Sequence, residues 1–168
     1  RQRQMCIRDS AEAFVGRKAV SNVALDVEEL AAADRVIAFF QDGKLAAGFV
    51  YNRLPQRYLK TLSADAIQSH RDVFFEVGAC ETCAMWKRRG FRFFVARVWT
   101  RILWEILTSP SPYTVGGIYP SHGMYRLYTK FSEKIVDEGD GSNRLCVFYM
   151  TKFNFLLAYL YGAASKVI

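Results

Sequence analysis

The stretch from Met85 to Leu107 constrains the fold of this chain more than any other part of the sequence. It begins at the end of an apolar run, passes through a cluster of cations around Gly90, and continues as a segment that is apolar on nearly every side. A strand that leads through a basic glycine turn into a buried helix is a candidate site for a phosphorylated ligand. The first amides of a helix have no internal partners, and the helix dipole leaves positive charge there. The cations of this basic turn are Lys87, Arg88, Arg89 and Arg92.

The segment from Phe93 to Leu107 predicts a helix that is packed on most of its circumference. Its charged residues, Arg97, Arg101 and Glu105, are spaced by four and therefore form one narrow stripe. Apolar side chains cover the remaining surface, so the core should hold the first turn in place. The alternative interpretation of the basic turn is a solvated connection between two core elements.

The composition favours one globular domain over residues 11–168. Half of the 168 residues are hydrophobic, which is enough for a substantial core. The net charge of +7 suits anionic partners such as nucleotides, nucleic acid or acidic lipid. Outside residues 87–92 the charge is spread along the chain, so we do not expect a nucleic-acid groove.

The first ten residues are treated separately. They resemble a translated sequencing adaptor of the kind found in metagenomic assemblies, so we expect an artefactual, disordered leader and a truncated native N-terminus. Arg1, Arg3, Arg8 and Asp9 give this leader a net charge of +2, which leaves +5 of the total +7 for the rest of the chain.

The cysteines indicate a reducing, cytoplasmic setting. Beyond the leader they are Cys80, Cys83 and Cys146, which offer no bridging framework. Cys80 and Cys83 could begin a zinc site, but no second pair follows. Their odd spacing also sends the side chains to opposite faces of a strand, so we expect no metal. The apolar stretch from Leu145 to Ile168 is interrupted by charges and is too short between them to span a bilayer.

Local patterns predict the order of elements. Arg35–Phe40 and Leu45–Tyr51 flank Asp42-Gly43 and form a strong hairpin signal. The other predicted elements are, in order, a helix over 11–32 before the hairpin, a short strand extension at Tyr58–Leu62, a loop or helical turn at Ala64–His70, a long strand at Val73–Trp86, a strand at Tyr113–Tyr119, a helix from Pro120 through Ile135, a loop at Asp137–Asn143, a strand at Leu145–Met150 and a helix at Phe153–Lys166.

This order predicts one α/β domain with a mixed sheet, and it resembles the later two thirds of the GNAT acyltransferase superfamily. The pyrophosphate loop of that family reads Arg/Gln-x-x-Gly-x-Gly/Ala. Here Lys87-x-x-Gly90-x-Arg92 stands in its place, with arginine instead of the last small residue. The resemblance covers residues 34–152.

A second motif lies in the helix after the next strand. The family often carries Asn-x-x-Ala-x-x-Leu-Tyr-x-Lys-x-Gly-Phe there, and this chain has Leu127-Tyr128-Thr129-Lys130-Phe131, without the asparagine and the Gly-Phe ending. The matching tyrosine of the family lies beside the thioester sulfur and can protonate the leaving thiolate, a role that the resemblance gives to Tyr128. The alternative for Tyr128 is an aromatic residue of the core.

The resemblance implies a GNAT-like α/β fold with a mixed, mostly antiparallel central sheet flanked by helices. It also implies an N-acyltransferase that moves an acyl group from acetyl-CoA or another acyl-CoA to a small-molecule or protein amine by direct attack. Glu81 is the preferred base, with Glu76 as the other candidate on the same predicted strand. The implied coenzyme contacts are the backbone of Ala84, Met85 and Trp86 and the turn residues Lys87, Arg88, Arg89, Gly90 and Arg92.

Two other functions stay open at this point. One is an enzyme like the acyl-homoserine-lactone synthases, which would take its acyl group from acyl-carrier protein. The other is a GNAT-shaped binding or scaffold protein without catalysis. The aromatic residues Phe39, Phe40, Phe49 and Tyr51 hint at a bulky acyl or acceptor group, while the acceptor and the oligomeric state, including a homodimer, are left open.

Overall fold

The computed structural model describes residues 27–88, 90–92, 95–120, 122, 124–138 and 145–165. The leader, most of the predicted first helix and Arg89 lie outside these ranges. The single domain predicted over 11–168 therefore stays a prediction.

The described strands form one six-stranded sheet in the order β1-β2-β3-β4-β6-β5. Every neighbouring pair is antiparallel except β3 and β4, which run parallel. The mixed, mostly antiparallel sheet is thus confirmed. The strands are β1 Arg35–Gln41, β2 Lys44–Asn52, β3 Ala79–Lys87, β4 Tyr113–Ile118, β5 Glu133–Glu138 and β6 Leu145–Thr151.

Helices cover both faces of the sheet. Apolar residues of α4, α5 and α6 pack on one face, and those of α1 and α2 pack on the other. None of the described helices is long and apolar enough to cross a membrane. The helices are α1 Val27–Ala32, α2 Gln56–Thr61, α3 Ala64–Ser69, α4 Thr100–Thr108, α5 Tyr125–Phe131 and α6 Lys152–Ala164, and π-helical turns occupy Asp72–Glu76 and Val95–Trp99.

The predicted hairpin is confirmed. β1 and β2 pair antiparallel through a tight turn at Asp42 and Gly43, whose φ angles are 53° and 70°. Both values lie in the left-handed region that a two-residue hairpin turn needs, which is why Asp-Gly is a strong signal.

The segment after this hairpin is helical, so the strand extension predicted at Tyr58–Leu62 is wrong. Those residues belong mainly to α2, and α3 follows directly. Ser63 begins α3 by accepting a hydrogen bond from the amide of Ala66 at 3.3 Å. A short run of Tyr and Leu is compatible with either structure, and here the packing of Tyr58 and Leu62 under the sheet decides for a helix.

The long strand predicted at Val73–Trp86 is wrong in its first half. Asp72–Glu76 forms a π-helical turn, and Gly78, with φ of 89°, reverses the chain before β3 begins at Ala79. Glu76 is therefore not on the strand. It is exposed and pairs with Arg71 at 3.9 Å, which removes it as a candidate base.

The helix predicted through Ile135 ends at Phe131, and Ile135 belongs instead to the edge strand β5. β5 pairs with β6, so cross-strand pairing overrides the helical spacing of the apolar residues. The loop predicted at Asp137–Asn143 begins too early, since Asp137 and Glu138 still belong to β5, and residues 139–144 lie outside the described ranges. The last predicted strand and helix are confirmed as β6 and α6.

The charged stripe of the buried helix is only partly on the surface. Glu105 is 1% exposed and binds Arg35 and Arg101, at 2.6 and 2.5 Å. Trp104, by contrast, is 60% exposed, so the expectation of apolar packing around most of this helix is wrong on that side. The two arginines explain the burial of Glu105, because a paired carboxylate can leave water where a lone one cannot.

Candidate functional site

The two parallel strands at the centre of the sheet separate after a short pairing. The paired residues run only from Ala79 with Tyr113 to Glu81 with Val115, although both strands continue and both are described in full. We call the opening beyond Glu81 and Val115 the splay. It exposes strand edges to a ligand in the middle of the sheet, a place where the backbone itself can bind.

β3 carries a bulge beside the splay. Its register with β2 shifts between Gly48 and Val50, and Ala84 has φ of 53°. A bulge turns the backbone of the bulged strand away from regular pairing. The predicted ligand-binding segment Ala84–Trp86 therefore lies where the strand is bent, with Met85 packing on one face of the sheet and Trp86 on the other.

Tyr128 lies against β4 on the helix α4 side of the sheet. A Cβ atom at Gly116 would lie 3.0 Å from both Cε1 and Oη of Tyr128, so only glycine lets this ring approach. The ring also packs on Phe148, with centroids 5.7 Å apart. The half-buried phenol is desolvated, which raises its pKa to about 12.

Tyr58 approaches the next residue of β4 from the opposite face. Gly117 donates its amide hydrogen to the Tyr58 hydroxyl at 2.6 Å. A Cβ atom at Gly117 would lie 2.7 Å from Cε1 of Tyr58. The two adjacent glycines thus admit one tyrosine from each side of the sheet.

Glu81 is fully buried at the point where the splay begins. Its Oε1 accepts hydrogen bonds from Asn52 Nδ2 at 2.6 Å and from the amide of Arg57 at 3.2 Å, and its Oε2 accepts from the amide of Tyr58 at 3.5 Å. The thiol of Cys83 lies 3.9 Å from Oε1. Burial raises the pKa of the Glu81 carboxyl, and these donors together with the Arg57 charge oppose the rise.

The two cysteines of the Cys-x-x-Cys pair lie on opposite sides of the sheet, as their spacing predicts. Cys80 packs with the core under α4, while Cys83 packs with α1. The described residues contain no cluster of three His, Cys, Asp or Glu side chains that could hold a metal ion.

The basic turn follows β3 at the open end of the splay. Lys87, Arg88 and Arg92 are exposed, and neither Arg88 nor Arg92 forms an ion pair with a described residue. Gly90 has φ of 84° and nothing within 4 Å of the position of a Cβ atom.

Several amides of this turn already have partners. Arg88 donates to the carbonyl of Ala46 at 2.8 Å, Phe91 donates to the carbonyl of Arg88 at 3.2 Å, and Arg92 donates to Gln41 Oε1 at 3.1 Å. The side-chain charges, more than these amides, are therefore what the turn offers to an anion.

Two pockets among the described residues lie on the two faces of the sheet. The first is apolar, lies beside Tyr128, and is lined by Trp99, Met124, Leu127, Met150, Phe155, Ala158 and Tyr159. The second lies between α1 and α2, and it is lined by Ala32, Val50, Asn52, Gln56, Arg57, Lys60 and Cys83. The second pocket carries two cations, and Cys83 in its wall touches the Glu81 carboxylate.

Sequence searches find no protein-family model and no curated protein that matches this chain. Solved structures match it in fold. FeeM, an N-acyl amino acid synthase from uncultured soil microbes, superposes with a TM-score of 0.65 at 15% identity, over 88% of this chain and 92% of FeeM. BjaI, a CoA-dependent acyl-homoserine lactone synthase solved with MTA, superposes with a TM-score of 0.57 at 7% identity, over 95% of this chain and 81% of BjaI.

This protein has the GNAT fold. In this divergent GNAT-like chain, the basic turn follows β3 directly, and the bulge at Ala84 lies on the same strand. Because both matching structures are less than 25% identical to this chain, they establish only the shared fold, and activity has to be argued from the residues of the site.

The sequence prediction missed the α2 side of this GNAT-like site. Asn52, Arg57 and Tyr58 surround Glu81 and reach β4, and none of them was a candidate. The one available signal was Gly116-Gly117, which indicated that something lies close against β4.

Proposed function

We propose that this GNAT-fold protein transfers an acyl group from a coenzyme A thioester to an amine by direct attack. The observation that carries the proposal is the splay itself, which joins a bent, bulged strand, a tyrosine against Gly116 and a cationic turn in one continuous arrangement. These three features match the coenzyme in order: the cationic turn would meet the phosphates, the bulged strand the pantetheine arm, and the tyrosine the thioester.

The phosphates of the coenzyme would bind at the basic turn. Lys87, Arg88, Arg89 and Arg92 supply the charge, and arginine forms strong charge-assisted hydrogen bonds with phosphate oxygens. Gly90 leaves space for a phosphate to approach the backbone. The pantetheine arm would then follow the bent backbone of Ala84, Met85 and Trp86 into the splay.

Tyr128 would act at the sulfur. The amine nitrogen attacks the thioester carbon, the carbon–sulfur bond breaks, and the sulfur leaves as a thiolate. A phenol with a pKa of about 12 holds its proton more tightly than a thiol with a pKa of about 8.5, so Tyr128 stabilises the thiolate as a hydrogen-bond donor. The thiolate then takes up a proton from solvent to give the free thiol, which balances the proton that the amine gives to its base.

Glu81 is the proposed acceptor of the amine proton, and its raised pKa suits a base. Three N–H groups of the protein, from Asn52, Arg57 and Tyr58, donate hydrogen bonds to its carboxylate. The weakest contact is with the Cys83 thiol, and Cys83 lines the pocket between α1 and α2, so this is the side from which a proton can reach the carboxylate.

The same pocket favours an amine that carries an acidic group. Arg57 and Lys60 in its wall would bind a carboxylate, as in an amino acid. FeeM is by its name an N-acyl amino acid synthase, which agrees with this class of acceptor. The apolar pocket beside Tyr128 would contact the acyl group, because nearly all of its lining side chains are apolar.

Calorimetric titration with coenzyme A and acetyl-coenzyme A tests the proposal. We expect the wild type to bind in the micromolar range and a variant with R88A and R92A to lose about 10-fold in affinity for each arginine, because each removes a charge-assisted contact with phosphate. The matched control carries R53A and R71A, which remove two exposed arginines from other parts of the surface.

An equal loss of coenzyme affinity in both double variants would show that only the overall charge of the protein matters, and it would contradict a phosphate site at the basic turn. Absence of binding by a folded wild type would overturn the coenzyme proposal. Release of thiol from acyl-carrier protein but not from acyl-coenzyme A would then favour the carrier-dependent alternative, and release from neither would favour a scaffold.

A further inference from the structure

A chain of hydrogen bonds through α2 connects β3 to β4 beyond their last paired residues. It starts at Glu81, the last residue of β3 that pairs with β4. The carboxylate accepts hydrogen bonds from the backbone amides of Arg57 and Tyr58 in the first turn of α2. Pro55 precedes this helix and gives it no side-chain cap, so Glu81 satisfies amides that a capping side chain would otherwise serve.

This chain of hydrogen bonds ends at Gly117 of β4. The amide of Gly117 donates to the Tyr58 hydroxyl, whereas β6 lies on the other side of β4 and β3 lies on the side where the strands have separated. The phenol oxygen thus accepts from an amide of β4 that lies beyond the last residue pair with β3. Tyr58 is only 8% exposed, so its ring is buried at this point.

Tyr58 and Tyr128 approach neighbouring residues of β4 from opposite faces, and each needs a glycine to do so. Burial raises the pKa of Tyr58 well above its usual value, and Cys83, Glu81 and Tyr128 add to the rise. Both phenols therefore stay protonated and neutral in the physiological range.

We propose that Tyr58 is a positioning residue of acyl transfer, which wedges the splay open at Gly117 and forms the wall that stops the thioester opposite Tyr128. The proposal rests on the proposed function. The pantetheine arm of the coenzyme, which enters the splay from the basic turn, can advance only until it meets the Tyr58 ring. The position of this ring decides whether the thioester sulfur lies beside the Tyr128 hydroxyl, and a small misplacement of the sulfur is enough to lower the rate of acyl transfer strongly.

The decisive variant is Tyr58→Phe, which keeps the ring and removes the hydroxyl that holds Gly117. We expect kcat to fall about 10-fold with the KM for the acyl-coenzyme A changed less than about 2-fold, because the arm still binds but a ring without its bond to Gly117 can shift and no longer holds the thioester at one depth. Tyr149→Phe is the control, since it also removes a phenol that binds a protein group, Glu133, away from the splay.

Amide hydrogen exchange at Gly117 is the second readout and needs no turnover. We expect this amide to exchange slowly in the wild type and in Tyr149→Phe, and at least 10-fold faster in Tyr58→Phe. Unchanged exchange at Gly117 would overturn the wedge. Faster exchange at Gly117 together with a wild-type kcat in Tyr58→Phe would show that the contact of Tyr58 with Gly117 is purely structural, and it would overturn the positioning role.

The two proposals fail in different ways. A wild type without turnover on any acyl-coenzyme A overturns the proposed function and, with it, the positioning role. A wild type that turns over, with a Tyr58→Phe variant that loses affinity for the coenzyme instead of kcat, overturns only the role of Tyr58 as a stop.

Discussion

Tyr128 is the residue on which the chemistry of this site depends most directly. Its phenol is held against Gly116 by packing on Phe148, and desolvation raises its pKa to about 12. A raised pKa in a phenol means that the neutral, protonated form persists to higher pH. Its hydrogen-bond donor is therefore available throughout the range below pH 12, and an alkaline change in rate near pH 8 to 10 would belong to another group.

For Tyr128→Phe we expect kcat to fall about 100-fold, because a positioned donor to the leaving sulfur is lost. The KM for the thioester should stay near its wild-type value, since the ring and its packing remain. Steady-state release of thiol measures both constants. Tyr125→Phe on the same helix is the control, and an equal loss of kcat in both variants would contradict a specific role for Tyr128.

Residues could be predicted from sequence only where a local motif pointed to them. Tyr128 and Glu81 were candidates, and the structure puts both beside the splay. Tyr58 could not be found, because its bond to Gly117 joins residues 59 positions apart and no local pattern encodes such a pair. The burial of Glu105 escaped prediction for the same reason, since one of its partners, Arg35, is 70 positions away.

At the scale of single elements, β4 is shaped by its two glycines. Its pairing with β6 is regular over its whole length, so the glycines are not needed for the ladder. They make room for the rings of Tyr58 and Tyr128, since a Cβ atom would lie 2.7 Å from Tyr58 at Gly117 and 3.0 Å from Tyr128 at Gly116.

We expect Gly116→Ala to lower kcat about 10-fold with little change in coenzyme affinity. The new Cβ atom would lie 3.0 Å from the end of the Tyr128 ring, which has to move while the basic turn remains intact. Thiol release and calorimetry separate the two quantities. A variant with wild-type kcat would contradict the placement of Tyr128 at the sulfur.

Elements with strong local signals were predicted well, and elements with ambiguous apolar runs were not. Asp42-Gly43 specified the β1–β2 hairpin because few other residues accept its backbone angles. The run that begins at Val73 lacked such a signal. Buried helical turns and strands both tolerate short apolar runs, so only tertiary packing decided for a π-helical turn there.

The whole molecule carries a net charge of +7, which bears on any anionic ligand. We expect coenzyme A to bind several-fold more weakly at 500 mM salt than at 50 mM, because salt screens exposed charges such as Arg88 and Arg92. Pantetheine, which lacks the phosphates, is the matched ligand and should show little salt dependence. Calorimetry at both salt concentrations measures this, and equal salt dependence of both ligands would contradict phosphate recognition.

The order of elements was enough to predict the GNAT fold, although several boundaries were wrong. Topology depends on which elements follow one another and on the parallel β3–β4 connection through a helix, and these features tolerate errors at the ends. The pocket between α1 and α2 was not predicted, because α1 lies outside the resemblance and most of α2 was predicted as a strand.

The short pairing between β3 and β4 has a mechanical consequence. The sheet consists of two antiparallel, three-stranded halves, β1-β2-β3 and β4-β6-β5, and only three residue pairs connect them directly. Beyond Glu81 the two halves are therefore held together by side chains and not by a backbone ladder. These side chains are the α2 contacts with Glu81 and Gly117 and the core cluster that packs under α4.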